Sequence, residues 1–203
     1  MCIPPDTRNI IFDLGVVLMD IHPERTESAF RTLGLKNSGS FLFQPGKENL
    51  FTEMELGRVS PAGFRNQLKK FLPASVFGLE IDSAWNAMLG EIPAEKMKML
   101  ITFSAHYRLF LLSNTNEIHL NAISIYLDQR YGVKNLHHIF EKEYYSCRLG
   151  LRKPDEKIFN YVLSVNHLNP AETLFIDDSP ENVAAAARVG IKAIRYSFGM
   201  VFD

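Results

Sequence analysis

The sequence has little cysteine and no excess of charge of either sign. Of its 203 residues only Cys2 and Cys147 are cysteines, and their separation matches no metal-site spacing. Such cysteine usage predicts reduced thiols in a cytoplasmic protein. The formal net charge is −1, and the chain contains no basic block. We therefore expect neither nucleic acid nor an anionic membrane as a partner.

Long apolar runs are also absent. No stretch approaches the roughly 18 residues that a membrane-spanning helix needs, and residues 1–6 lack the apolar core of a signal peptide. Because 46% of the residues are hydrophobic and 22% are charged, the chain can bury one core, or a core with a smaller insert. No heptad seam or long apolar patch indicates an oligomer, so the oligomeric state stays open.

Short apolar runs predict the strands of a parallel sheet, because such strands are buried on both faces. These runs lie at residues 10–12, 107–112, 142–146, 173–176 and 192–195. Helical patterns separate them, which is typical of an α/β protein with helices on both faces of the sheet. One of these helices is expected to have Pro154 in its first turn, so that Lys153 opens it.

Residues 20–90 differ from the rest because they hold several helical patterns and no convincing strand. One of these helices is expected at residues 83–89, and residues 36–46 read as a loop with apolar anchors. The prediction is a helical insert at residues 19–90. Residues 1–18 and 91–203 would then form the sheet-containing core.

Polar side chains follow three of the predicted strands. Asp13 follows the first strand, Ser113 the second, and the pair Asp177-Asp178 the fourth, while Lys153 precedes a helix. All strand ends lie on one edge of a parallel sheet, so these groups can converge. Each site taken alone has a structural explanation, as a turn, a solvated lysine or a helix cap. Together they are much harder to explain by chance.

This set of groups suits phosphoryl transfer. An aspartate such as Asp13 can attack phosphorus and form an aspartyl phosphate. Further carboxylates can hold Mg²⁺ against the phosphate. A lysine and a hydroxyl group, here Lys153 and Ser113, can offset charge on the transferring oxygens.

The four segments resemble, in order, the four motifs of the haloacid dehalogenase superfamily of phosphatases. The matching segments are Phe12-Asp13-Leu14-Gly15-Val16-Val17-Leu18, Leu112-Ser113-Asn114-Thr115-Asn116, Gly150-Leu151-Arg152-Lys153-Pro154 and Phe175-Ile176-Asp177-Asp178-Ser179-Pro180-Glu181-Asn182. The nearest resemblance is to the branch that contains α-D-glucose-1-phosphate phosphatase. It implies a Rossmann-like core and a helical cap that closes over a small phosphorylated metabolite, such as a hexose 1-phosphate.

The resemblance also implies a role for each site residue. Asp13 would be the nucleophile and a Mg²⁺ ligand, and Gly15 would bind the metal through its backbone carbonyl. Asp178 would be the second carboxylate on the metal, with Asp177 beside it or behind it. Ser113 would donate to the phosphate with Asn114 close by, and Lys153 would hold both the phosphate and the nucleophile.

Gly15 departs from the family pattern, because most phosphatases of this superfamily have a general acid/base aspartate two residues after the nucleophile. General acid–base catalysis typically contributes about 10²–10⁴-fold. The branch with glucose-1-phosphate phosphatase shares the glycine, and an anomeric leaving group needs less protonation. Asp20 or His22 are candidates for a substitute proton donor.

Two other functions remain open at this point. A haloacid dehalogenase proper also lacks the second aspartate, but it works without metal and has no acidic pair in its fourth motif, so Asp177-Asp178 argues against it. A silent phosphate-binding module is favoured only by Gly15. Substrate specificity is not readable from the sequence, although Phe41, Phe43, Trp85 and several polar residues of the insert are candidates.

Overall fold

A computed structural model describes residues 3–35, 49–197 and 199–200. Five parallel strands form one sheet in the order β3-β2-β1-β4-β5. The strands are β1 (Asn9–Phe12), β2 (Arg108–Ser113), β3 (Lys142–Tyr145), β4 (Thr173–Asp177) and β5 (Lys192–Arg195). The predicted α/β fold with a parallel sheet is therefore confirmed.

The first strand lies at the centre of the sheet. Phe12 is in register with Leu111 of β2 on one side and with Ile176 of β4 on the other. All four residues of β1 are buried, because a central parallel strand has helices over both faces. Asp13 therefore leaves the sheet at the middle of its carboxyl edge.

Nine helices surround or precede these strands in the described part of the chain. They are α1 (Pro23–Thr32), α2 (Leu50–Glu55), α3 (Pro61–Lys69), α4 (Gly78–Asn86), α5 (Ala94–Ser104), α6 (Glu117–Tyr131), α7 (Ser146–Leu149), α8 (Glu156–Val165) and α9 (Pro180–Arg188). A short 3₁₀ turn, Pro170–Glu172, precedes β4. Within the described ranges, none of the helices has the length and apolar character needed to cross a membrane.

Side chains of β1 alternate between two hydrophobic clusters, one on each face of the sheet. Ile10 and Phe12 pack with residues of α5 and α6, including Leu100, Ile123 and Leu127. Ile11 lies in the other cluster, which is formed with residues of α8 and α9. The sheet is thus covered by helices on both faces, which fixes the position of its carboxyl edge.

The four helices α1–α4 lie between β1 and β2 in the sequence and share a hydrophobic cluster around Trp85 with Ile118 of α6. The two ends of this segment meet where Ile21 forms an antiparallel bridge with Leu89. We refer to α1–α4 as the insert helices. The predicted loop at residues 36–46, with Phe41 and Phe43, lies outside the described residues.

Several predicted boundaries were wrong by one residue or more. The helix expected at residues 83–89 is α4, which begins at Gly78 because the Glu80 side chain accepts a hydrogen bond from the Phe77 N–H (2.8 Å). It ends before the bridge at Leu89. The third strand ends at Tyr145, and the next residue begins α7.

Pro154 does not lie in the first turn of a helix, and Lys153 does not open one. Helix α8 begins at Glu156, and the side chain of Asp155 caps it by accepting a hydrogen bond from the Lys157 N–H (2.9 Å). The backbone N–H and C=O of Lys153 instead bond the Asn114 side chain. These bonds hold Lys153 in the connection before the helix.

Gly57 follows α2 with φ +68°, and a methyl group there would overlap the backbone carbonyl oxygen of Cys147. Gly132 has nearly the same φ, +70°, but open space around it. We expect Gly132→Ala to lower the free energy of unfolding by about 1–2 kcal/mol, the cost of the left-handed conformation. Gly57→Ala should cost about 3 kcal/mol or more, because overpacking is added. Urea denaturation measures the free energy of unfolding of both variants. Equal losses would show that the backbone at Cys147 moves aside without an energetic cost.

Candidate active site

The carboxyl edge of the sheet opens into a cavity of about 320 Å³. Asp13 follows β1, Ser113 ends β2 and Asp178 follows β4, so the parallel register places all three at this edge. Each of them lines the cavity, together with Gly15, Asn114 and Lys153. Asp177, the last residue of β4, is fully buried beneath it.

Lys153 lies at the centre of the site and donates three hydrogen bonds there. Its ammonium group donates to Asp13 Oδ1 (2.7 Å), to Asp177 Oδ2 (2.7 Å) and to the backbone carbonyl of Leu112 (2.8 Å). These bonds use all three of its N–H donors. The side chain is only 1% exposed, so the two ion pairs form in a region with little solvent screening.

Asn114 positions this lysine through the main chain. Its Oδ1 accepts from the Lys153 N–H (2.9 Å), and its Nδ2 donates to the Lys153 carbonyl (2.9 Å). These two bonds commit the amide to Lys153. The substrate-binding role expected for Asn114 stays a prediction.

Burial strongly affects the charges at the site. It raises the pKa of Asp13 to about 7; Lys153 opposes the shift and the Asp177 carboxylate adds to it. The pKa of Asp178 is also raised, by burial and by Asp177. Burial alone lowers the pKa of Lys153, but the two carboxylates outweigh it, so this pKa is raised. The site therefore favours a bound cation that compensates the carboxylates.

Three carboxylates offer ligand atoms within 4.8 Å of one another, those of Asp13, Asp177 and Asp178. With the single ammonium of Lys153, their formal charges sum to −2, which one divalent cation offsets. Carboxylate oxygens are hard donors and suit Mg²⁺. The donor set thus fits the predicted metal.

The two adjacent aspartates have different surroundings. Asp177 Oδ1 accepts from the Ser179 N–H (2.9 Å) and from Asn182 Nδ2 (3.0 Å), while its Oδ2 accepts from Lys153. Asp178 is half-buried and bonds no other side chain in the described part of the chain. Its carboxylate is therefore free to take a metal ion.

Gly15 lines the cavity, and its carbonyl accepts a hydrogen bond from the Val17 N–H (2.6 Å). One lone pair of that oxygen remains for a metal. A Cβ atom at this position would lie 3.3 Å from the Ile21 side chain, so an apolar group occupies the space beside it. Neither Asp20 nor His22 lines the cavity.

A buried network that the sequence did not suggest forms another wall. His119 stacks on Trp85 with ring centroids 5.2 Å apart. Its Nδ1 lies 3.2 Å from Asn116 Nδ2 and its Nε2 lies 3.2 Å from the Trp85 carbonyl, so both ring nitrogens are engaged. Burial lowers the pKa of His119 to about 4, although the Trp85 carbonyl opposes the shift. His119 is therefore neutral near pH 7.

An ion pair between α2 and the third motif was also missed. Glu55 Oε2 accepts from Arg152 Nε (3.0 Å) and Nη2 (2.6 Å). The Glu55 side chain is 5% exposed and lines the cavity. The partners are 97 residues apart, and no sequence spacing connects them. Asn182, by contrast, lies within the fourth motif, where its position could have suggested a role.

Comparisons with known proteins agree with this geometry. The chain is 30% identical over 188 residues to D-ribitol-5-phosphate phosphatase of Bacteroides thetaiotaomicron, covering 93% of this chain and 91% of that protein. A crystal structure of a haloacid dehalogenase family enzyme from the same organism, an aspartate-to-alanine mutant with magnesium and inorganic phosphate, matches with a TM-score of 0.90. It is 31% identical, with 96% of each chain covered.

A predicted hydrolase of the same superfamily from Porphyromonas gingivalis matches with a TM-score of 0.86 and 34% identity, over 96% of this chain and 93% of that one. Residues 7–190 match the haloacid dehalogenase-like hydrolase family. This span includes all four motifs, so the resemblance predicted from them is confirmed. With its motifs meeting at one sheet edge and most of its length matched, the chain belongs to the haloacid dehalogenase-like hydrolase family.

Proposed function

We propose that the chain is a Mg²⁺-dependent phosphatase that hydrolyses phosphate monoesters of small polyhydroxylated metabolites. The observation that carries this proposal is the convergence of Asp13, Lys153 and Asp178 beside Ser113 in one cavity. A carboxylate nucleophile, a cation and a metal-binding carboxylate are the groups that phosphoryl transfer requires.

Asp13 acts as the nucleophile. Lys153 holds Asp13 Oδ1 (2.7 Å), which leaves Oδ2 to attack phosphorus. The new bond from Asp13 to phosphorus forms as the bond to the leaving oxygen breaks, and that oxygen takes up a proton from solvent water, because Gly15 supplies no acid. Water then attacks the aspartyl phosphate at phosphorus, which frees inorganic phosphate and restores the carboxylate. Ser113 and Lys153 stabilise charge on the phosphoryl oxygens.

Asp13, Asp178 and the Gly15 carbonyl hold the metal ion in this proposal. Bound Mg²⁺ supplies positive charge that offsets the phosphate and the carboxylates. Both oxygens of Asp177 already accept hydrogen bonds, so Asp177 is not a metal ligand in this proposal. It supports the ligands by holding Lys153 and Asn182 in place. The network gives each of the two adjacent acids a separate task.

The insert at residues 19–90 acts as a cap over the core formed by residues 1–18 and 91–203. Side chains of the insert, such as Phe51, Glu55 and Met88, line the same cavity as the strand-end groups. The bridge between Ile21 and Leu89 joins both chain connections at one point. A substrate bound at the sheet edge therefore has its leaving group beneath the insert.

The cavity and the relatives support this substrate class. A volume of about 320 Å³ lies at the lower end for small-molecule sites, which suits a metabolite rather than a polymer. One relative is named for ribitol 5-phosphate, in which the phosphate is esterified to a primary hydroxyl group. A hexose 1-phosphate is a second candidate substrate, because its anomeric leaving group needs less protonation and Gly15 supplies no acid. We place the activity in the cytoplasm, consistent with the low cysteine content.

Phosphate release from ribitol 5-phosphate and glucose 1-phosphate, with Mg²⁺ and then with excess chelator, tests the proposal. We expect release with Mg²⁺, its loss in chelator, and recovery when Mg²⁺ is restored. The loss should exceed about 10²-fold, because the metal offsets much of the charge on the transferring group. Absence of release under all conditions, from folded protein that binds Mg²⁺, would favour a silent phosphate-binding module.

A further inference from the structure

The insert contributes a nearly uniform apolar wall to the cavity. Between residues 19 and 90, the described side chains that line it are Met19, Ile21, Pro23, Phe51, Glu55, Met88 and Leu89. Glu55 is the single polar side chain among them. A carboxylate buried in an apolar wall is costly unless it is paired, so its place there calls for a partner.

Arg152 pairs with only one of the two Glu55 oxygens. Both hydrogen bonds from the guanidinium go to Oε2, and Oε1 bonds no other residue in the described ranges. Burial raises the pKa of Glu55, whereas Arg152 and, more weakly, Lys153 lower it. In either protonation state Oε1 can bond a hydroxyl group, because a hydroxyl both donates and accepts.

The other polar groups of the cavity lie outside the insert, and most of them are already assigned or engaged. Asp13, Lys153 and Asp178 belong to the phosphate end. His119 bonds through both ring nitrogens, and Asn114 bonds the Lys153 backbone through both amide atoms. On the insert side, Glu55 is left as the group that can recognise a polar leaving group.

Resting on the proposed function, we propose that Glu55 is the specificity residue that binds a hydroxyl group of the leaving alcohol through Oε1, with Arg152 holding it in place. The substrate is thereby a phosphate ester of a polyhydroxylated alcohol. An ammonium-bearing alcohol fits less well, because Arg152 already offsets the charge of Glu55 and Lys153 lies close by.

The test compares three esters that share a phosphate and differ in the alcohol: ribitol 5-phosphate, pentyl phosphate and 2-aminoethyl phosphate. Binding with Mg²⁺ is measured by calorimetry on Asp13→Asn, which keeps the ester intact, and on Asp13→Asn/Glu55→Gln. Hydrolysis is measured on the wild type and Glu55→Gln. Glu53→Gln is the matched control, because Glu53 lies on the same helix and pairs with Arg58 away from the cavity.

We expect Glu55→Gln to weaken binding of ribitol 5-phosphate about 5- to 10-fold, because the neutral amide can still bond a hydroxyl group but loses the extra strength of a bond to a charged carboxylate. Binding of pentyl phosphate should change less than about threefold, and Glu53→Gln should alter neither. The ratio of kcat/KM for ribitol 5-phosphate to that for pentyl phosphate should fall in Glu55→Gln by about the same factor as the ratio of their binding constants. Because the ratio is taken within one preparation, partial unfolding cancels.

The inference would be overturned if Glu55→Gln weakened the binding of ribitol 5-phosphate and pentyl phosphate equally, or weakened neither. It would also be overturned if the Asp13→Asn protein bound 2-aminoethyl phosphate more tightly than ribitol 5-phosphate. If binding discriminates as expected but no preparation releases phosphate, the proposed phosphatase fails while the recognition role of Glu55 stands. If phosphate is released and Glu55→Gln leaves the ratio unchanged, the phosphatase stands and the role of Glu55 fails.

Discussion

Asp13→Asn should lower the rate of phosphate release by about 10³-fold or more, because a neutral amide neither attacks phosphorus nor offers the metal a charged oxygen. The change preserves the shape of the side chain, and Oδ1 can still accept a hydrogen bond from Lys153. We therefore expect a folded protein whose melting temperature stays close to that of the wild type. Release of inorganic phosphate with saturating Mg²⁺ measures the loss.

Asp178→Asn separates the two roles assigned to Asp13. Both substitutions remove a proposed metal ligand, but only Asp13→Asn removes the nucleophile. Raising the Mg²⁺ concentration should restore part of the activity of Asp178→Asn and none of that of Asp13→Asn. Acid quench of the wild type during turnover should leave the peptide with Asp13 heavier by one phosphoryl group. Equal recovery of both variants, with no such peptide, would mean that water attacks phosphorus directly.

The sheet and the polar groups at its carboxyl edge were predictable because their signals are local. Residues 10–12 form an apolar run, and β1 is buried on both faces. A strand that is buried in this way, followed by Asp13, fixes where the acid leaves the sheet. The same logic located Ser113 and Asp177, and the parallel topology brings them together without any further information.

The insert wall of the cavity was not predictable, because it depends on contacts between distant segments. Glu55 and Arg152 are 97 residues apart, and nothing near either one marks the pairing. Lys153 was expected to open a helix, since a proline follows it. The side chain of Asn114 fixes its backbone instead, and that contact exists only in the folded sheet.

Lys153→Met should destabilise the metal-free protein by about 3–5 kcal/mol, the cost of leaving buried charge without its partner. The lysine bonds Asp13 and Asp177 at 2.7 Å each, with its side chain 1% exposed. Methionine fills a similar volume and supplies no charge, so two buried carboxylates face each other. Urea denaturation in chelator measures the loss. Lys192→Met, which removes a solvent-accessible lysine 3.8 Å from Asp6, should cost less than about 1 kcal/mol.

Mg²⁺ should stabilise Lys153→Met more than it stabilises the wild type, because the ion then replaces the positive charge that Lys153 supplied between the carboxylates. Acid should act in the same direction. The pKa of Asp13 is already raised to about 7, and loss of the ammonium raises it further, whereas the unfolded chain titrates near 4. The folded variant therefore binds more protons than the unfolded chain between these values, so its stability rises as pH falls through that window. If the stability of Lys153→Met depended on neither Mg²⁺ nor pH, Lys153 would not be what holds the carboxylates together.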